Sequence, residues 1–169
     1  GSVVVDGVTT GFSSVEGVSL SGLGGIDTLT ANEAVLGTND AISYTPGAND
    51  DGQLQINSST PVSFSSIETR TINSGTGSDT LTVTSGGSDD VIDVAAGSVL
   101  SVNGESVTHT HDSTNDALVL VAGDGDDAVT IATAHAWTTI DVQGGNPSAS
   151  DTASLTGDGL TGVTVTLSG

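Results

Sequence analysis

The sequence contains no cysteine and no methionine, and its 169 residues hold one Lys+Arg, Arg70, against 21 Asp+Glu. Without cysteine there is no disulfide framework, no thiol nucleophile and no cysteine-based zinc site. A formal net charge of −20 leaves nothing to neutralise phosphates, so nucleic acid is excluded as a partner. An anionic membrane surface repels the chain for the same reason. The longest strongly apolar run, Ala117-Leu-Val-Leu-Val-Ala122, falls far short of the roughly 20 residues that span a bilayer, so no membrane insertion is expected. Aromatics are few: Phe12, Tyr44, Phe64 and Trp137. The missing methionine and the opening Gly1-Ser2 point to a cloning or protease scar at 1–2, with 3–169 a segment excised from a longer protein.

What remains is Gly, Asp, Ser, Thr, Val and Ala, with 34% hydrophobic residues set in short bursts. Apolar and polar residues alternate in Val15-Glu-Gly-Val-Ser-Leu20, Asp79-Thr-Leu-Thr-Val83, Val91-Ile-Asp-Val94 and Val119-Leu-Val121. They do so again in Val129-Thr-Ile131, Ile140-Asp-Val142 and Val163-Thr-Val-Thr-Leu167. Each burst is β-branched and bounded by Gly, Asp, Asn or Ser, which reads as short strands with one face inward. The expectation is a single all-β domain with a thin aliphatic core.

The bursts repeat. Phe12-Ser-Ser-Val-Glu16 returns as Phe64-Ser-Ser-Ile-Glu68, and Asp27-Thr-Leu-Thr30 as Asp79-Thr-Leu-Thr82. Gly75-Thr-Gly-Ser-Asp79 returns as Gly123-Asp-Gly-Asp-Asp127. Three copies of a unit near 50 residues result, approximately 12–63, 64–115 and 116–169, each with about four strands. A finer step of 25 residues links Ile42, Ile67, Ile92, Ala117, Val142 and Leu167. That step suits a parallel β-helix or β-solenoid with ~25-residue coils, a β-sandwich being the alternative. Exposed end coils would offer edges for another module to cover.

Several turns share the form Gly-x-Gly-x-Asp before an alternating run: Gly22-Leu-Gly-Gly-Ile-Asp27, Gly75-Thr-Gly-Ser-Asp79, Gly86-Gly-Ser-Asp-Asp90 and Gly123-Asp-Gly-Asp-Asp127. This resembles the calcium-binding repeat of RTX, or haemolysin-type, secreted bacterial proteins, G-G-x-G-x-D-x-U-x, in degenerate form. In that family aspartates and carbonyls build an oxygen cage for Ca²⁺ between turns, chemistry suited to a hard cation. The resemblance implies Ca²⁺ at the Asp79/Asp90 and Asp116/Asp127 turns, with Asp89, Asp124 and Asp126 assisting. RTX repeats run every nine residues, whereas these motifs recur after 11 and then skip ahead. Two other readings stay open: aspartates that only form turns, and a halophilic surface whose repulsion salt screens.

Weaker candidates are His109 and His111, on one face of a strand, with Asp112 or His135 as a third metal ligand. Polar residues facing solvent are the plainer reading of these histidines, and a paired surface residue that of Arg70. Asn57-Ser-Ser59 matches a glycosylation sequon by form. The function expected is a non-enzymatic structural or adhesive repeat module, secreted and cell-surface, stabilised by Ca²⁺. Its partners would be neighbouring modules, further copies or a surface ligand. A β-helical polysaccharide-processing enzyme is the first alternative, with too few cations and aromatics for an anionic sugar. Ice or mineral binding is the second, prompted by Thr28/Thr30, Thr80/Thr82 and Thr164/Thr166. Steps of 25 from Thr30 meet Gln55 and Glu105, which breaks such an array.

Overall fold

A computed structural model describes residues 2–5, 8–11, 14–32, 37–111, 115–146 and 150–157. These residues form sixteen strands and no helix, so the chain is all-β. The first are β1 (Ser2–Val5), β2 (Val8–Gly11), β3 (Val18–Ser21), β4 (Thr28–Asn32) and β5 (Ala41–Pro46). Next come β6 (Gly52–Ile56), β7 (Val62–Ser65), β8 (Thr69–Gly75), β9 (Thr80–Thr84), β10 (Val91–Val94) and β11 (Val99–Val102). The last are β12 (Glu105–His111), β13 (Ala117–Val121), β14 (Ala128–Ala132), β15 (Thr139–Gln143) and β16 (Thr152–Thr156).

β1 and β2 form an antiparallel hairpin of their own; the other strands divide into two seven-stranded mixed sheets. The first sheet runs β3-β7-β6-β5-β9-β13-β15 and the second β4-β8-β12-β11-β10-β14-β16. Most consecutive strands hold equal places in the two sheets: β3 with β4, β7 with β8, β9 with β10, β13 with β14, β15 with β16. The alternating sequence fixes which side chains turn inward. Leu81 and Val83 of β9, Leu118 and Leu120 of β13, Ile92 and Val94 of β10, and Val129 and Ile131 of β14 are buried. They join Tyr44, Phe64 and Trp137 in one core cluster with members from both sheets. Each such side chain contributes about 1.5–3 kcal/mol on burial.

Parallel pairing near the expected 25-residue step occurs at one end only. Ala117 faces Thr139 and Ala128 faces Thr152, intervals of 22 and 24 residues. Elsewhere the interval is longer: Thr80 faces Ala117 and Val91 faces Ala128, 37 residues on, while Val18 faces Val62, 44 on. The cause is an antiparallel insertion in each sheet, β5-β6-β7 in the first and β10-β11-β12 in the second. Asn103-Gly104, with φ of 52° and 88°, makes the two-residue hairpin between β11 and β12. The 25-residue apolar series is therefore not one stacked column. Ile42 faces Leu81, Val142 faces Leu120, and Ile67 lies between strands. Phe12, Val163–Leu167 and Thr164/Thr166 lie outside the described residues.

Arg70 corrects a second expectation. It takes the inward phase of β8 with Ile72 and is 5% exposed, so its pairing belongs to the core and not the surface. Its Nη1 and Nη2 both donate to Glu105 Oε2 at 3.1 Å, Nη2 reaches Asp50 Oδ1 at 3.3 Å, and Nε donates to the Ser106 carbonyl at 3.0 Å. The only Lys or Arg of the chain thereby ties the β5–β6 turn of one sheet to β12 of the other.

Candidate functional site

Besides Asp51, which precedes the antiparallel β6, an aspartate stands immediately before each of seven strands: Asp27, Asp40, Asp79, Asp90, Asp116, Asp127 and Asp151. There its carboxylate can accept a backbone N–H that the turn leaves outside the sheet bonding. In this fold the N–H belongs to the equivalent aspartate of the adjacent parallel strand. Asp40 N–H donates to Asp79 Oδ1 and Asp79 N–H to Asp116 Oδ1, each at 2.8 Å. Across the second sheet, Asp90 N–H donates to Asp127 Oδ1 at 2.8 Å and Asp127 N–H to Asp151 Oδ1 at 3.1 Å. Asp27 N–H donates likewise to Glu68 Oε2 at 2.7 Å.

Two ladders of stacked carboxylates result, one at each sheet's strand starts. Each begins at an asparagine held in the left-handed region, Asn57 (φ 53°) and Asn103 (φ 52°). Asn57 Nδ2 donates to Asp40 Oδ1 while its Oδ1 accepts the Ala41 N–H at 2.9 Å. Asn103 repeats this with Asp90 Oδ1, at 2.6 Å, and the Val91 N–H, at 2.9 Å. The amide of the sequon-like Asn57 is thus engaged in the fold.

Inside the ladders the electrostatics are unfavourable. Parallel neighbours stand about 4.8 Å apart, where two carboxylates repel by about 3 kcal/mol at an effective dielectric of 20. Asp79, Asp90, Asp116 and Asp127 are all nearly fully buried. Burial raises the Asp127 pKa; the Asp90 N–H bond opposes the rise, and the charges of Asp90, Asp151 and Asp89 add to it. Asp90 has both oxygens engaged, since its Oδ2 accepts the Gly86 N–H at 3.1 Å. Buried Oδ2 atoms of Asp27, Asp40, Asp79 and Asp127 have no hydrogen-bond partner.

The structure brings the calcium candidates together differently from their spacing. Eleven residues carry the chain along one strand and into the other sheet, so Asp79 and Asp90 start β9 and β10 on different sheets. Asp79 stacks on Asp116, and Asp90 on Asp127. Asp89, Asp124 and Asp126 are exposed on the turns, where Asp126 N–H donates to Asp89 Oδ1 at 3.0 Å. Among the described residues no three acidic or histidine side chains converge on one point. Rungs not singled out as ion ligands are Asp27, Asp40, Glu68 and Asp151, with Asn57 and Asn103. The signal for the four acids was their place directly before a strand, whereas Asn57 and Asn103 directly follow β6 and β11.

His109 overturns the surface reading, being fully buried on β12. Trp137 Nε1–H, which can only donate, meets His109 Nδ1 at 3.2 Å, so the ring proton sits on Nε2 and faces Ser74 Oγ at 3.1 Å. The register of β12 shifts between Thr110 and His111, and the His111 side chain and Asp112 lie outside the described residues. His135 packs on Trp137 too, with ring centroids 6.3 Å apart. No family model, curated protein or solved structure matches this chain.

Proposed function

We propose that the chain is a non-enzymatic structural and adhesive module of an extracellular, cell-surface protein: a two-sheet parallel β-solenoid with antiparallel inserts, stabilised by Ca²⁺. The observation that carries the reading is the paired aspartate ladders, with unpartnered buried oxygens on Asp40, Asp79 and Asp127. A buried carboxylate oxygen calls for a proton, a water or a cation, and Ca²⁺ is the hard ion that takes six to eight such oxygens. Asp79 with Asp116, and Asp90 with Asp127, are the residues that would hold it. The absence of a third convergent side chain leaves the remaining oxygens to carbonyls and water. Divalent charge would offset the rung-to-rung repulsion and turn acidic turns into staples.

Two observations favour a structural role over an enzyme. Arg70 is held in the core by Asp50 and Glu105, so it offers no free cation to an anionic sugar. Tyr44, Phe64 and Trp137 are buried, so none of them presents a sugar platform. Melting curves in EDTA, in millimolar CaCl₂ and in NaCl of equal ionic strength test the proposal. A hundredfold excess of ion over Kd adds about 2.7 kcal/mol, or roughly 5–10 °C for a chain of this size. Asp127→Ala should lower the affinity. Calcium that does no more than the salt control refutes the ion's part in the reading.

One observation favours the ice- or mineral-binding alternative. The true register sets Thr30 beside Thr71 and Thr71 beside Thr108, with Thr28 beside Thr69, so hydroxyls do align across three strands. A thermal-hysteresis assay separates this reading from the first.

A further inference from the structure

Resting on the solenoid reading above, we propose that the two ends of the described stack are complementary, and that the β3–β4 edge of one copy of this chain docks on the β15–β16 edge of another, head to tail. Among the described residues, β3 and β15 are the outermost strands of the first sheet, β4 and β16 those of the second. In each sheet two antiparallel steps cancel, so both edge strands run in the same direction. A translation along the stack therefore sets β4 beside β16 and β3 beside β15 in parallel, as β16 already lies beside β14. A two-fold rotation would instead bring like edges together, antiparallel.

The ladders have a matching polarity. At every aspartate rung the backbone N–H of one row donates to the carboxylate of the next row toward β15 and β16. The first row of the second sheet thus ends in the Asp27 carboxylate, whose Oδ2 has no partner, and the last row ends in the Asp151 N–H. Docking would join that donor to an Asp27 carboxylate oxygen of the next copy. Among the described residues, apolar side chains are incompletely covered at the same places. Leu20, Leu29 and Ala31 are partly buried at one end and Ile140 and Val142 at the other, where Leu155 is 47% exposed. None of the four edge strands carries a proline or lysine, and Asp141 is their only charge, so little in these strands themselves opposes edge pairing. Such a contact is heterologous and does not close, so copies add into a filament. The net charge opposes it, which makes it dependent on salt or Ca²⁺.

The register is specified. Asp151 aligned with Asp27 sets Ser154 opposite Thr30 of the next copy, both exposed. Because the chain lacks cysteine, Thr30→Cys and Ser154→Cys can be made separately, mixed in CaCl₂ and treated with a short bis-maleimide. The mixture should yield crosslinked heterodimers at least tenfold above either variant alone, and above Thr30→Cys mixed with Ser43→Cys on central strand β5. Homodimers from the single variants would indicate a two-fold contact and overturn the proposal. So would a mixture that stays monomeric by sedimentation, the edges then belonging to another occupant. The calcium melts are read on dilute monomer. A lost calcium shift with an intact crosslink would defeat the ion reading alone, and the reverse result would defeat only the stacking.

Discussion

Replacing Arg70 by Met tests whether the lone cation holds the two sheets together. Met keeps an unbranched apolar stem in the space of the arginine stem, so packing changes little and the charge is what is lost. The Arg70 side chain is 4% exposed, that of Glu105 20% and that of Asp50 35%. Breaking a buried pair by removing one partner costs about 3–5 kcal/mol, because the stranded charge has no compensation. Asp50 reaches water and is screened, so its share is discounted and Glu105 carries most of the effect. The expected loss is about 2–3 kcal/mol, or a Tm lower by roughly 4–12 °C for this chain length. Urea and thermal melts of Arg70→Met, Glu105→Gln and the double variant form a cycle that isolates the coupling. The double variant should be less destabilised than the two singles summed. A loss for Arg70→Met below about 0.5 kcal/mol, the size of an ordinary surface substitution, or strict additivity in the cycle, would refute the reasoning.

Gly123 has φ +98°, and a Cβ there would run into the Gly86 carbonyl oxygen of the turn stacked on it, whereas a Cβ at Gly87 finds only ordinary contact. Gly123→Ala should therefore lower the unfolding free energy read from urea melts by about 2 kcal/mol or more while Gly87→Ala stays within about 0.5 kcal/mol. The Asp127 pKa is raised from 3.8, so the folded state binds this proton more tightly than the unfolded chain. Stability from this group then falls as pH rises from the unfolded value to the folded one, and acidification through that window restores it. Urea midpoints across the carboxylate range without calcium should show that slope flattened in Asp127→Asn; an identical slope in both proteins contradicts it. Tyr44, the only tyrosine, is pushed from 10.0 to about 12 chiefly by burial, with Arg70 opposing the rise. Absorbance at 295 nm should show no phenolate until near that pH, and the stability it contributes should be lost as pH climbs from 10.0 to about 12. A phenol titrating near 10 in the intact fold would refute the burial argument.

The all-β architecture was readable because period-two alternation is a direct image of inward and outward positions, as β9 and β13 show residue by residue. The coil length was not. A 25-residue step presumed that each strand crosses to the other sheet and returns, but β5-β6-β7 and β10-β11-β12 fold back within one sheet. The local signal for one of those reversals was present. Asn103-Gly104 between two alternating runs is a hairpin turn by its own chemistry, since both residues accept φ > 0. The β5–β6 reversal was harder to read, because Asn49 and Asp50 reach φ of 60° and 61° without a glycine. Arg70 and His109 were misplaced for a related reason. A strand's phase decides what is buried, and polar residues on the inward phase of β8 and β12 follow Ile72 and Val107 into the core, where Glu105 and Trp137 receive them.

The aspartate turns were readable as a class, but their grouping was not, and the difference lies in chain path. Spacing along the sequence joins Asp79 to Asp90; stacking across the sheet joins Asp79 to Asp116. The same residue before the same kind of strand serves a hydrogen-bonded rung and an ion ligand equally well, because both use carboxylate lone pairs. What separates the two uses is the second oxygen. A rung needs only Oδ1, and Asp90 shows how a turn can occupy Oδ2 as well, through the Gly86 N–H. Asp127 ends the corresponding turn from Gly123 and leaves its Oδ2 buried without that bond. The ladder can therefore organise the strand starts through backbone bonding alone, with Oδ2 of Asp40, Asp79 and Asp127 buried and unpartnered along it. An ion bound there would strengthen an arrangement already formed by backbone bonding, so it would act on stability rather than on the choice of fold.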